Sequence, residues 1–287
     1  MAQKYRFRRE QTFTSYEEML ERADIDAVVL GTPMPLHVPQ AVAALQAGKH
    51  VLSEVTAPVS LEQAWELLGA AASAARAPIA VVVPGPVGAA GVEAAVPPIS
   101  DAACRELVTF LRGRYTVEHP QYMMAENYLY LAPNIVVSEL VRQGLFGVPY
   151  YGEGAYIHEL QASNPPGSWR RIWQTGRNGN TYPTHSVGLL LEWLGDRVES
   201  VSCLGSGHHY VDAAGRRFEN EDSTVTLCKL QRSGGLLQLR LDLLSSRPHQ
   251  MAWYALQGTE GCYEAARSGA GEELEGRIWL AAVSKNS

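Results

Sequence analysis

Cysteine is scarce in this sequence: Cys104, Cys203, Cys228 and Cys262 stand far apart and form no C-x-x-C pair. That spacing excludes a zinc ribbon or a disulfide framework and reads as small core hydrophobes in a reducing compartment. Long apolar runs are also missing. No stretch approaches the roughly 18 uninterrupted apolar residues of a membrane span. The basic start, Met1 to Arg9, has no apolar h-region behind it, so no signal peptide is read and a cytoplasmic protein is expected. There is no excess of positive charge. Lys and Arg total 24 against 30 Asp and Glu, for a net charge of −6. Nucleic acid, which needs a basic footprint, is therefore excluded as the default partner, and a small neutral or polar substrate fits. What is present is ordinary: 287 residues, 46% hydrophobic and 19% charged, the profile of a soluble globular chain of about two domains.

The stretch that organises the chain is Arg177-Asn-Gly-Asn-Thr-Tyr-Pro-Thr-His185, backed by the apolar run Val187 to Trp193. Asn178-Gly179 marks a tight turn. Pro183 suits the first turn of a helix, where its missing N–H costs nothing, and Thr181 reads as the N-cap. Tyr182 and His185 are three apart and so share one helical face. The helix dipole disfavours imidazolium there, which keeps His185 able to accept a proton. A phenol and an imidazole together suit general-base chemistry on a hydroxyl or an acidified C–H; the alternative is a buried pair that only caps a helix.

Taken in order, Ser15 to Arg22 opens with a capping box, Ser15 and Glu18, and predicts a short helix. Asp26 to Gly31 is a short β-branched run that predicts a buried parallel strand. A helix over about 38–47 ends near Gly48, His50 to Glu54 is the next strand, and Ser60-Leu-Glu-Gln63 opens another helix. This alternation is a doubly wound α/β pattern, with ligands expected at the carboxyl ends of the strands. Thr32, Pro33, His37, Glu54 and Val55 fall at such ends. Pro78 to Val83 reads as a further strand, followed by a Gly-rich turn, Gly85 to Gly91, that is either a makeshift phosphate loop or a connector. Pro58 to Leu67 and Pro98 to Leu107 echo one another as helix starts. Gln121 to Asn127 reads as the last strand of this half, with Glu126 and Asn127 at its carboxyl end. An acid at the end of a buried strand is costly without a role or a partner. Pro133 to Gly144 predicts a connecting helix. From Tyr150 the period changes to two, clearest in Leu237 to Leu243, with a hairpin turn at Ser233-Gly-Gly235. The fold class is thus α/β: an incomplete Rossmann-like doubly wound parallel sheet over 1–131, with an insert at about 70–119, then an α+β domain with a mostly antiparallel sheet over 132–287.

Among the remaining candidates, His158-Glu159 follows a strand and suits substrate hydroxyls or a structural ion pair. Adjacent His208 and His209 on an extended strand point to opposite faces, so no metal site is expected. Trp169, Trp173 and Trp193 serve either as sugar-stacking faces or as core. Asp196-Arg197 and Glu219 to Asp222 read as solvated surface.

The run Asp24 to Pro33, Leu36-His37 and Ala47-Gly-Lys-His-Val-Leu-Ser-Glu54 resembles the Gfo/Idh/MocA sugar oxidoreductases. Met123-Met-Ala-Glu-Asn-Tyr128, Glu153 to His158, Trp169-Arg170, Gly179 to His185 and Ser245 to His249 resemble one branch of it, the NAD-dependent glycosidases related to α-N-acetylgalactosaminidase. The resemblance spans roughly 12–68 and 120–266. It implies a bound NAD that transiently oxidises a sugar ring carbon. The neighbouring C–H is thereby acidified, the glycosidic bond leaves by elimination, water adds and hydride returns. Carried over, Tyr182 and His185 are the base pair, Tyr156 and Glu126 orient or protonate substrate, and Thr32, Pro33, His37, Glu54, Val55 and Asn127 line the nicotinamide side. His158, Trp169, Arg170 and Asn180 contact the sugar or glycoside.

The chain departs from that pattern in three ways. Glu54-Val55-Thr56 stands where the dehydrogenase branch has Glu-Lys-Pro, so the usual catalytic lysine is absent. The Gly-rich fingerprint and first strand–helix–strand are missing, which puts NAD binding itself at issue and leaves the Asp26–Gly31 strand an unpaired edge. The family's C-terminal helical segment is missing too, and the insert at about 70–119 has no counterpart in the family pattern. Three readings stay open: the glycosidase-like enzyme, a conventional NAD(P)-dependent sugar dehydrogenase, and a non-catalytic scaffold or partner subunit. Homo-oligomerisation through the open C-terminal sheet is expected, with no nucleic-acid or membrane partner.

Overall fold

The computed structural model describes residues 9–75, 119–247, 250–266 and 276–283; the sequence-based expectations at Pro78–Val83, Gly85–Gly91, Pro98–Leu107, Cys104, Pro248 and His249 lie outside them. The chain divides into two units, Met1–Ala125 and Glu126–Ser287, so Glu126 and Asn127 belong to the second.

In the first unit, Ser15 caps α1 (Tyr16–Arg22) by accepting from the Glu18 N–H. There follow β1 (Ala27–Leu30), α2 (His37–Gln46), β2 (His50–Ser53), α3 (Leu61–Ala75) and β3 (Tyr122–Met124). The three strands are parallel, in the order β1-β2-β3. Alternation puts Val28, Leu30 and Val51 on one face, where they pack with Val38, Ala41, Leu45 and Leu67 of the helices. Ala41 and Ala44 lack bulk, so α2 lies close, and each buried Val or Leu contributes about 1.5–3 kcal/mol. Gly48, at φ 74°, supplies the left-handed residue that stops α2. The opposite face is open among the described residues. Val29 is 75% exposed, and its row continues through Leu52 to Met123, both exposed. Among the described residues β1 is an edge strand of this sheet.

The second unit contains α4 (Ala132–Arg142), β4 (Pro149–Ile157), α5 (Trp169–Trp173), α6 (Thr184–Leu194) and six further strands: β5 (Val198–Gly205), β6 (Ser223–Leu230), β7 (Leu236–Asp242), β8 (Gln250–Gly258), β9 (Gly261–Glu264) and β10 (Arg277–Leu280). The sheet runs β10-β9-β8-β4-β7-β6-β5, with only β4 and β7 parallel among these pairs. Gly152, Gly154 and Tyr156 share the inner face with their β7 partners Leu237, Leu239 and Leu241. Helix α6 presses onto this face through Leu189, Leu190 and Trp193. The approach needs glycine in β4. A Cβ on Gly154 would lie 2.0 Å from the Ser186 carbonyl oxygen, and one on Gly152 would lie 3.0 Å from Leu190 Cδ2.

Three sequence expectations are corrected here. Thr181 does not cap α6; its hydroxyl donates to the Gln174 carbonyl, and the Pro183 carbonyl takes the first N–H groups, from Ser186 and Val187. Asn220 and Asp222 are buried rather than solvated, because the inward alternation of β6 begins before its first residue. Asp196 is buried too. It follows Gly195, whose φ of 56° turns the chain at the helix end, and it accepts from the N–H groups of Arg197, Arg232 and Ser233 and from the Ser233 hydroxyl. Burial alone would raise its pKa, but the bonds from Ser233, Arg197 and Arg232 hold it well below the usual carboxylate range. A depressed folded pKa gives stability that is present above the unfolded value of about 3.9 and is lost as pH falls through the folded value. Asp196→Asn is therefore expected to unfold with a shallower acid dependence than the parent below about pH 4, as read by a fluorescence titration. Equal slopes would show that the loop, not the charge, holds the turn.

Candidate active site

Glu126 opens a short 3₁₀ turn, Asn127–Tyr130, and its Oε1 accepts from the Tyr128 N–H at 3.2 Å. The same oxygen lies 2.8 Å from His185 Nδ1. Both side chains are buried, and Glu126 Oε2 has no hydrogen-bond partner among the described residues. His185 is the second residue of α6, and the Tyr254 hydroxyl of β8 donates to its main-chain carbonyl. Gly188, one turn along the helix, leaves room for the acid: a Cβ there would sit 3.1 Å from Glu126 Cγ. With Nδ1–H donated to the carboxylate, Nε2 carries the lone pair and is the nitrogen able to take a proton.

Three tyrosines surround this imidazole. Tyr128 stacks on it with centroids 4.3 Å apart and planes at 23°, and Tyr156, near the end of β4, stacks at 5.0 Å and 28°. Tyr182 meets it edge-on at 5.1 Å and lies 5.5 Å from Tyr156. Burial pushes Tyr156 up to about 12; the Arg170 cation draws it back and the Glu126 carboxylate adds to the rise. Tyr128 is raised further, by burial first and then by Tyr156, Glu126 and Tyr182. Both phenols are therefore protonated donors at neutral pH.

The structure thus brings together Tyr182, His185, Tyr156 and Glu126. His158, just past β4, meets Tyr156 edge-on at 5.8 Å. Arg170 caps the Trp169 ring at 4.5 Å and reaches Gln174 Oε1 at 3.3 Å. Asn180 turns to the sheet instead: its Nδ2 donates to Thr226 Oγ1 at 3.2 Å, and its Oδ1 is buried with no hydrogen-bond partner among the described residues. Trp173 lies under Arg177 at 3.8 Å, while Trp193 is core and donates to Ser138. His208 Nδ1 bonds the Asn220 carbonyl and His209 Nδ1 bonds Asp222. No group of three or more His, Cys, Asp or Glu among the described residues is arranged for a metal. Sequence reasoning missed Tyr128, Gly188 and Tyr254. Tyr128 ended a quoted motif, and Tyr254 shares the inward parity of Leu256, which was the signal available.

In the first unit, Thr32 and Pro33 follow β1, Glu54 and Val55 follow β2, and Asn127 lies exposed in the second unit's 3₁₀ turn. Thr32 Oγ1 donates to Gln40 Oε1 at 2.7 Å. His37 is buried, with Nε2 at 2.7 Å from the Thr32 carbonyl and Nδ1 at 2.8 Å from the Thr56 carbonyl. It clamps the two strand-end loops to each other, so its effect on a ligand there runs through the loops it shapes. Val55 is buried and Glu54 is exposed.

Residues 1–81 match the family model of an oxidoreductase family with an NAD-binding Rossmann fold. Residues 130–286 match that of the glycosyl hydrolase 109 C-terminal domain. An alpha-N-acetylgalactosaminidase of Shewanella oneidensis is 28% identical over 277 residues, covering 87% of this chain and 49% of that protein. A glycosyl hydrolase family 109 protein of Shewanella putrefaciens matches with the same identity and coverage. The chain spans about half the length of the curated relatives it matches. Among solved structures, an oxidoreductase domain protein from Kribbella flavida superimposes with a TM-score of 0.63 at 20% identity, over 93% of this chain and 64% of that one. A levoglucosan dehydrogenase complexed with NADH and levoglucosan gives 0.62 at 16%, over 97% and 66%. At these identities the likeness is one of fold.

Proposed function

Because the chain belongs to the glycosyl hydrolase 109 family, we propose that it is an NAD-dependent, sugar-active enzyme cleaving a glycoside by oxidation, elimination, water addition and reduction. The observation that carries this reading is the buried Glu126–His185 pair ringed by Tyr128, Tyr156 and Tyr182.

The first unit fits one half of the dinucleotide. Thr32 and Pro33 after β1 and the exposed Glu54 after β2 stand at carboxyl ends of parallel strands, the usual place for such a ligand, and would hold its nicotinamide side. The described residues contain no glycine-rich phosphate cradle at a helix start. When bound, NAD supplies a hydride acceptor that also returns the hydride. The chain's own residues do the proton chemistry. His185 Nε2 takes the proton of the sugar hydroxyl, releases it to solvent, and then takes that of the acidified C–H beside it. Glu126 keeps Nδ1–H engaged and stabilises the imidazolium that forms. The protonated Tyr156 phenol, set beside the Arg170 cation, donates to the departing glycosidic oxygen. Tyr182 shares the proton taken by His185, and His158, Trp169 and Arg170 orient the sugar. Val55, where lysine-assisted dehydrogenases have lysine, favours this route over a simple alcohol dehydrogenase.

The open sheet face, with Leu204, Val225 and Leu227 exposed, suits pairing with a second copy. The free thiols of Cys203, Cys228 and Cys262 fit a cytoplasmic setting. Among the described residues no helix is long and apolar enough to cross a membrane.

The test is cofactor content. Protein purified without added nucleotide, then denatured, is expected to release NAD(H) at about one mole per mole by mass spectrometry, as a tightly held group would. No nucleotide, and no binding when it is added, would overturn both enzymatic readings and leave a scaffold.

A further inference from the structure

Tyr128 touches both members of the Glu126–His185 pair by separate routes. Its main-chain N–H bonds Glu126 Oε1, and its ring lies over the His185 imidazole. Its own place is fixed from a third side, since the Tyr128 carbonyl accepts from Asn134 Nδ2 of α4 at 2.8 Å, with both residues buried. An imidazole held by one hydrogen bond keeps a soft twist about its terminal torsion. The Nδ1–Glu126 bond sets the direction of that nitrogen but does little to stop the ring tilting about the bond. A flat ring 4.3 Å away removes that freedom on one face.

We propose that Tyr128 is a positioning residue, whose ring and main-chain N–H together hold the Glu126–His185 pair in the single orientation that presents His185 Nε2 for proton transfer. This rests on the reading of His185 as the base. Tyr156 also stacks on the imidazole, but it comes from β4 and has no bond to Glu126 among those described. Tyr128 alone couples the acid and the imidazole to one short turn. The role belongs to the flat ring and the main chain, so phenylalanine should preserve it and an aliphatic residue should not.

The experiment reads the His185 ring nitrogens directly. The full chain is labelled with ¹⁵N-histidine, long-range ¹H–¹⁵N correlations are recorded, and His185 is assigned from its loss in His185→Gln. The parent and Tyr128→Phe are expected to show one tautomer, protonated at Nδ1. Tyr128→Leu is expected to show averaged nitrogen shifts. In turnover, Tyr128→Phe should stay within about threefold of the parent, while Tyr128→Leu loses about tenfold or more in kcat with KM nearly unchanged, as misplacement of a base without loss of binding requires. An unchanged His185 tautomer in Tyr128→Leu would overturn the proposal, and so would a Tyr128→Phe loss as large as that of Leu. If Tyr128→Leu does not fold, Tyr128→Trp decides, since it crowds the imidazole with a larger ring: shifted ring nitrogens support the role and unshifted ones refute it. The ring-nitrogen readout needs no turnover. An inactive parent would therefore sink the proposed reaction, while Tyr128 would still be judged on the imidazole.

Discussion

His185→Ala is expected to slow release of the aryl group from an aryl glycoside by about 10³-fold, the middle of the range for a positioned general base. The loss should fall on kcat, because a group that acts on the transferring proton contributes little to ground-state binding. Nucleotide content of the variant should match the parent, which separates loss of the base from loss of the cofactor. Glu126→Gln should cost about 10-fold or more alone and almost nothing on top of His185→Ala, since the two residues act as one unit. A His185→Ala enzyme within tenfold of the parent would remove His185 from the reaction.

Gly154→Ala should be among the most destabilising single substitutions in the second unit. The new Cβ would lie 2.0 Å from the Ser186 carbonyl oxygen, a main-chain atom that moves only if α6 moves. Overpacking against backbone costs at least about 3 kcal/mol, which for a unit of this size lowers the melting temperature by about 6–12 °C. Gly152→Ala meets the end of a flexible Leu190 side chain at 3.0 Å and should cost clearly less. Gly69→Ala in α3 meets nothing within 4 Å and should be neutral or slightly stabilising, through helix propensity alone. Differential scanning calorimetry of the three variants ranks them. Equal melting temperatures for Gly154→Ala and Gly152→Ala would show that α6 shifts freely on β4.

Much of the fold was legible because the signals are local. β1 and β2 announce themselves as short β-branched runs ending in turns, and the Ser15 cap, the Gly48 stop and the Ser233-Gly-Gly235 hairpin need only a few neighbouring residues. Tyr182 and His185 were legible together because they stand three positions apart, although Tyr182 precedes the helix instead of sharing its face. The partner of His185 was not, because Glu126 comes from a distant turn and no local rule joins them. Tyr128 was hidden for a similar reason: it stacks from a 3₁₀ turn, which has no amphipathic period to read. Asp196, Asn220 and Asp222 misled because clustered charge usually faces water. Asp196 is instead enclosed by N–H groups of a hairpin that arrives later in the sequence. Thr181 satisfied the rule for an N-cap, but its hydroxyl found the Gln174 carbonyl first.

The parallel pairing of β4 with β7 also governs when the candidate active site comes into being. Tyr151 must find Leu236, and β4 must find β8 on its other side, before the inner face that carries Tyr156 exists. Such distant pairings close large loops before any contact repays the lost entropy, which makes the folding of this unit slow compared with one built from hairpins. During synthesis, the helix bearing His185 follows β4, its main docking strand, but leaves the ribosome well before β7 and β8, which complete that surface. The imidazole and its tyrosines are therefore assembled late, and a chain halted before β8 has every candidate site residue in sequence but an incomplete inner face to hold them.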